Sequence, residues 1–187
     1  MMNTTTNDPA KRYALAREDV EQERAYLANV YAQEQGKEAP CSVFSKYLDA
    51  QVKALAVFLE KLSPEDTVAV DSVLDGTAIA RIITPPDPAK ANPRASYRPE
   101  DPVMPYVVAL EGVNRECARL EVKHIREEEK EAPSPVLLEF LDAQVIPLHL
   151  LHYNLSPENT AAIDAILSKN WLAVAQPAVQ THGGEHA

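Results

Sequence analysis

Glycine and cysteine are scarce in this sequence, with 5 glycines and 2 cysteines among 187 residues. Sheets joined by tight turns use glycine at positive φ angles, whereas helices need little glycine and accept proline in their first turn. Because the chain also has 15 prolines, its composition favours an all-α fold. Two cysteines are too few for a scaffold held together by disulfides.

Long apolar runs are absent as well. The longest, residues 54–59, is bounded by Lys53 and Glu60 and falls far short of the roughly 20 residues that span a bilayer. The polar residues 1–7 do not resemble a signal peptide. Neither Cys41 nor Cys117 has a second cysteine or a histidine at metal-ligand spacing, which predicts reduced thiols in a cytoplasmic protein that does not bind membranes.

The chain also lacks recognisable catalytic signatures. It contains no glycine-rich phosphate loop, no Gly-x-Ser-x-Gly turn and no Cys-x-x-Cys pair, and these are the motifs of several common enzyme classes. No cofactor is predicted. Lysine and arginine number 18 against 28 acidic residues, a net charge of −10, which argues against general nucleic-acid binding.

What the chain does contain is a repeat of itself. Residues 8–83 align with residues 101–176 without a gap at an offset of 93, and 30 of the 76 pairs are identical. Such similarity predicts a tandem duplication. The predicted organisation is therefore a disordered N-terminus (1–7), helical repeat 1 (8–83), a proline-rich linker (84–100), helical repeat 2 (101–176) and a flexible tail (177–187).

Each copy reads as three helices. The first opens with an aspartate cap and a proline, Asp8-Pro9 or Asp101-Pro102, and Gly36 can end it in the first copy. The second follows Ala39-Pro40 and carries one apolar face. A third, capped by Ser63, is expected to continue to residue 83. Because 75 residues build a small core, the two copies are predicted to pack as a pseudo-twofold six-helix bundle.

Some polar residues interrupt the predicted apolar faces and are the same in both copies. They are candidates for binding, either through hydrogen bonds that fix helix register or as paired carboxylate sites for a cation or another ligand. These residues are Glu23, Glu116, Gln51, Gln144, Asp71 and Asp164.

Histidines distinguish the second copy. His124, His149 and His152 stand where the first copy has a tyrosine, an alanine and a leucine. His149 and His152 share one side of a helix and are further binding candidates, and Glu121 precedes His124 at the Glu-x-x-His spacing of carboxylate-bridged metal bundles. Together Glu121, His124, His149 and His152 form a candidate metal site, with a histidine-lined pocket or ordinary core histidines as alternatives.

Two functions are compatible with these features. The first is a non-enzymatic cytoplasmic adaptor or regulator that binds an unidentified protein partner, with self-association left open. The second is a small-molecule- or metal-binding helical bundle whose site contains the histidines of the second copy. The absence of catalytic motifs favours the first, and convergence of the histidines on one cavity would favour the second.

Overall fold

The computed structural model of the chain describes residues 8–80 and 103–167. These residues form six helices and no strand, which confirms the predicted all-α class. The predicted termini and linker, and the Asp101-Pro102 start, lie outside the described residues. The helices are α1 (Pro9–Gln35), α2 (Ser42–Lys61), α3 (Thr67–Leu74), α4 (Met104–Glu128), α5 (Pro135–Asn154) and α6 (Thr160–Leu167).

The ends of α1 follow the sequence signals. The Asp8 side chain accepts a hydrogen bond from the backbone N–H of Ala10 at 3.0 Å, and Pro9 fills the first helical position. Gly36 follows the last helical residue, and its N–H donates to the carbonyl of Ala32 at 3.1 Å. Both predicted boundaries of the first helix are therefore confirmed.

Two long helices, α2 and α5, lie side by side at the centre of the molecule and run antiparallel. Phe58 near the end of α2 stacks on Phe140 near the start of α5, with ring centroids 3.9 Å apart. Helix α1 packs on α2 and α3, while α4 packs on α5 and α6. These contacts are those of a helical bundle. None of the helices in residues 8–80 and 103–167 is both long and apolar enough to cross a membrane.

The loop between α1 and α2 is held by a buried carboxylate. Glu34, 2% exposed, accepts hydrogen bonds from the N–H of Cys41 at 2.8 Å and from Nζ of Lys37 at 2.5 Å. This satisfies a backbone donor at the start of α2 that has no partner within the helix. Glu127, 1% exposed, makes the same two bonds to the N–H of Ser134 (2.9 Å) and to Nζ of Lys130 (2.5 Å).

The predicted cap of the third helix is wrong. Asp66, rather than Ser63, caps α3, because its side chain accepts from the N–H of Ala69 at 3.0 Å. The Ser63 carbonyl instead accepts from the N–H of Asp66 at 3.2 Å. The Ser-Pro dipeptide therefore forms a turn before the helix, since a cap must lie directly before the first helical residue.

The predicted extension of the third helix to residue 83 is also wrong. Helix α3 ends at Leu74, and Gly76 adopts a φ of 72°, a left-handed conformation that glycine takes without steric cost. The backbone changes direction at Gly76, and the N–H of Ala78 donates a hydrogen bond to the carbonyl of Ser72 at 2.9 Å. Residues 78–80 are buried although they are not helical.

Candidate functional site

The two candidate glutamines lie where α2 and α5 cross. Gln51 is 1% exposed and Gln144 is fully buried, and Nε2 of Gln51 donates to the backbone carbonyl of Gln144 at 3.1 Å. Gln144 accepts from the N–H of Ala80 at 2.6 Å and donates to the carbonyl of Ala78 at 2.8 Å. Both side chains thus bond within the protein, joining the two central helices and holding the segment that follows α3.

Glu116 acts on the segment that follows α3 through a second residue, Arg119. Its two carboxylate oxygens contact Arg119 at 2.7 and 2.9 Å. Arg119 in turn donates to the carbonyls of Thr77 at 2.7 Å and Ile79 at 2.8 Å. Glu116 therefore orients a guanidinium that bonds the protein's own backbone, because a bidentate carboxylate fixes the plane of that group.

Glu23 occupies the corresponding place on α1, where a tyrosine stands at the position of Arg119. Tyr26 stands 93 residues before Arg119, and burial together with the nearby Glu23 carboxylate raises the pKa of Tyr26 to about 12. The two identical glutamates consequently have different neighbours.

The candidate aspartates also differ in their surroundings. Asp71 on α3 is exposed and forms an ion pair with Arg12 of α1. Asp164 is exposed on α6, where Pro105 occupies the position that corresponds to Arg12. A proline cannot form this ion pair, so the identical aspartates do not make identical contacts.

The structure does not gather the four candidate metal ligands. His149 contacts Glu121 with Nε2 and Oε1 2.8 Å apart, whereas His124 contacts Asp142 at 3.2 Å. His152 meets the ring of Tyr153 edge-on, with centroids 5.5 Å apart. Across residues 8–80 and 103–167, no three His, Cys, Asp or Glu side chains are grouped so that they could hold a metal ion. The arrangement gives no support to the metal-binding alternative.

Helices α2 and α5 by themselves line an open surface, which we call the α2–α5 face. It carries two grooves. The first has a volume of about 370 Å³ and the second about 210 Å³. The first groove is lined by Ala50, Lys53, Ala54, Val57, Phe58, Lys61, Val136, Glu139, Phe140 and Ala143. The second is lined by Val43, Lys46, Tyr47, Ala50, Pro147, Leu150, Leu151 and Asn154.

The two grooves correspond to each other residue by residue. Every residue lining the second groove stands 93 positions from a residue lining the first, as Leu150 does from Val57 and Tyr47 from Phe140. Ala50, near the middle of α2, lines both grooves. The α2–α5 face is therefore approximately symmetric about its centre.

Apolar side chains are exposed on this face. Val57 is 43% exposed, Leu150 59% and Ile146, one turn before Leu150, 61%. Val57 lines the first groove and Leu150 the second, whereas Ile146 lines neither. Contact of such side chains with a partner would remove them from water. These residues are not among the predicted candidates, although α5 is apolar on several sides, a pattern that indicates either complete burial or a partner.

Lysines stand at the edges of the grooves. Lys53 bonds Asp49 of its own helix at 2.7 Å, which raises the pKa of the lysine chiefly through that hydrogen bond. Lys61 reaches across to both carboxylate oxygens of Glu139, at 2.5 and 2.6 Å. An apolar floor with a partly cationic rim can receive the apolar side of another macromolecule and contact acidic groups beside it.

Comparison of the chain with known protein families, with curated proteins and with solved structures finds no match.

Proposed function

We propose that the protein is a non-enzymatic interaction module, an adaptor or regulator, which binds another protein through the α2–α5 face. The observation that carries this proposal is the pair of corresponding grooves with the exposed residues Val57, Ile146 and Leu150 beside them. Burying exposed apolar side chains against a partner removes them from water and favours association.

The proposal includes the tandem duplication inferred from the sequence. Helices α5 and α6 begin and end 93 residues after α2 and α3, and Glu34 and Glu127 hold their loops in the same way. A duplicated unit whose copies pack through the same helix creates two related grooves beside the contact, as a twofold dimer would. Duplication thus supplies a simple origin for a symmetric binding face.

The proposal also places the protein in the cytoplasm. Cys41 and Cys117 are both free thiols, and Cys117 is 2% exposed. Burial raises the pKa of Cys117 to about 11, which keeps the thiol protonated and unreactive at neutral pH. A reducing compartment is compatible with both cysteines.

Site-specific photo-cross-linking tests the binding face. A photoreactive amino acid replaces Leu150, and in a matched control it replaces Leu15, an exposed leucine on α1 that lies outside the face. In cells that make the protein, we expect a discrete cross-linked protein from position 150 and none from position 15. Equal products from both positions, or none from position 150, would contradict the proposed function.

A further inference from the structure

The charge of the α2–α5 face differs in sign from that of the whole chain. Lys46, Lys53 and Lys61 line the grooves together with one acidic residue, Glu139, so the lining residues carry a net charge of +2, or +1 when Asp49, which is bonded to Lys53, is counted with them. The chain as a whole carries −10. A local excess of lysine around exposed apolar side chains favours a ligand that is apolar on one side and acidic beside it.

The shape of the face suits a helix. Both grooves follow the direction of α2 and α5, and the stretch of α2 that lines them, residues 43–61, spans about 27 Å at 1.5 Å per residue. Ala50 and Ala143 lie near the middle, where their small side chains allow close approach. An amphipathic helix laid into such a groove inserts apolar side chains at intervals of three and four residues.

We propose that the occupant of the α2–α5 face is an acidic amphipathic helix of another protein. This inference rests on the proposed function and adds the chemistry of the partner. The apolar side of the helix fills the grooves beside Val57 and Leu150, and its Asp or Glu side chains lie near Lys46, Lys53 and Lys61. Lys61 can then exchange part of its contact with Glu139 for a partner carboxylate.

A second copy of this chain fits the face less well. A twofold dimer formed on this surface would bring the groove lysines of one copy towards those of the other, and like charges repel. Segments of the chain outside the described residues are poor occupants too, because residues 81–102 carry a net charge of +1 and residues 168–187 a net charge of zero. Charge complementarity therefore points to a different, acidic chain.

Binding of two synthetic peptides to the full chain tests the inference. Both peptides have the same leucines at helical spacing, but one carries Glu and the other Lys at the remaining positions. Fluorescence anisotropy at low salt is expected to show about tenfold tighter binding of the Glu peptide. Raising the salt concentration should weaken that binding, because screening reduces attraction between exposed charges.

Charge reversal on the protein provides the matched comparison. The triple variant Lys46→Glu, Lys53→Glu, Lys61→Glu is expected to prefer the Lys peptide, while a control triple variant, Lys11→Glu, Arg24→Glu, Arg126→Glu, should keep the preference of the wild type. Circular dichroism checks that each variant is folded. Should the face triple variant unfold, Lys46→Glu alone is expected to lower the preference for the Glu peptide by about threefold.

Three results would overturn the inference. These are equal binding of both peptides, binding of neither peptide, and a wild-type dimer that Leu150→Lys dissociates in light scattering. The last result would identify a second copy as the occupant. The first two results leave the proposed function in place, since that proposal depends on a cross-link from position 150 to another protein and not on the acidity of the partner. A dimer formed on this face would contradict both proposals.

Discussion

Helices α1–α3 and α4–α6 share the bounds of their second and third helices at an offset of 93, but not the contacts of their outer helices α1 and α4. Glu34 and Glu127 make the same pair of hydrogen bonds, and α2 and α5 have the same length. On α4, in contrast, Glu116 and Arg119 hold the segment after α3. Shared residues, such as Gln51 and Gln144, also join the two halves, and Arg119 adds contacts that the first half cannot return, because Tyr26 stands at its corresponding position.

Lys123 on α4 makes a contact that α1 does not reproduce. Its ammonium group contacts the Thr77 hydroxyl, and burial lowers the pKa of Lys123. The corresponding residue on α1 is Val30, which cannot make this contact. Partial burial of the Lys123 ammonium costs desolvation free energy. The hydrogen bond to Thr77, in the segment that follows α3, offsets part of that cost.

The two glutamines at the helix crossing should differ most in their effect on stability. Gln144→Leu leaves the N–H of Ala80 and the carbonyl of Ala78 without their partner, so it should lower the free energy of unfolding by about 2–4 kcal/mol. Gln51→Leu removes the bond to the Gln144 carbonyl and should cost about 1–2 kcal/mol. Urea denaturation measures both. Equal losses would show that the two glutamines are equivalent despite their different partners.

The two buried glutamates should, in contrast, behave alike. Glu34→Ala leaves the part-buried N–H of Cys41 unpaired and Glu127→Ala the buried N–H of Ser134, and each should lower the free energy of unfolding by about 2–3 kcal/mol. Glu38→Ala and Glu131→Ala, a corresponding pair of exposed residues, are the controls and should change it by less than about 0.5 kcal/mol. A large difference between Glu34→Ala and Glu127→Ala in urea denaturation would show that the two carboxylates do not stabilise their loops equally.

Cys117 should make the second half sensitive to alkali. Its pKa is raised to about 11 in the folded protein from an ordinary value of 9.0, chiefly by burial. The protonated thiol therefore stabilises the fold below pH 9, and this contribution is lost as the pH rises from 9 to about 11. Compared with wild type, Cys117→Ala should lose less stability across this window, by about 1–2 kcal/mol.

Parallel pH dependence of urea denaturation in the two proteins would contradict the Cys117 prediction. Arg24, which occupies the corresponding position in the first half, is exposed. The variant Arg24→Ala should leave the alkaline loss as it is in wild type.

The ion pair between Arg12 and Asp71 should have the smallest effect. The Asp71 side chain is 54% exposed, and exposed ion pairs contribute about 0.2–1 kcal/mol. A double-mutant cycle of Arg12→Ala and Asp71→Ala measures the coupling. Asp164→Ala in the second half should change thermal stability less than Asp71→Ala, and a larger change would reveal a contact for Asp164 of equal strength.

Several features of the fold were predictable because they depend on neighbouring residues alone. The Asp8-Pro9 start and the Gly36 end of α1 follow from the hydrogen bonds that helix ends need. The apolar face of the second helix follows from spacing, and Phe44, Leu48 and Leu55 are buried as their periodicity indicates. The same helical spacing also predicted that Gln51 and Gln144 lie near that face.

Other features escaped prediction because they depend on residues distant in the chain. Glu34 and Glu127 resemble ordinary surface glutamates at the end of a charged helix. Their occurrence at an offset of 93, each followed by a Lys-Glu-Ala-Pro sequence, was nevertheless available as a signal. The same holds for Ile146 and Leu150, whose exposure depends on which helices cover α5.

The sequence by itself determined the helical class, the ends of α1 and the repeated spacing, because composition, caps and periodicity act over a few residues. Tertiary structure alone decided which carboxylates are buried and which apolar side chains remain in contact with water. Those outcomes depend on packing between helices. The α2–α5 face is therefore a property of how the two halves meet, and neither half alone forms it.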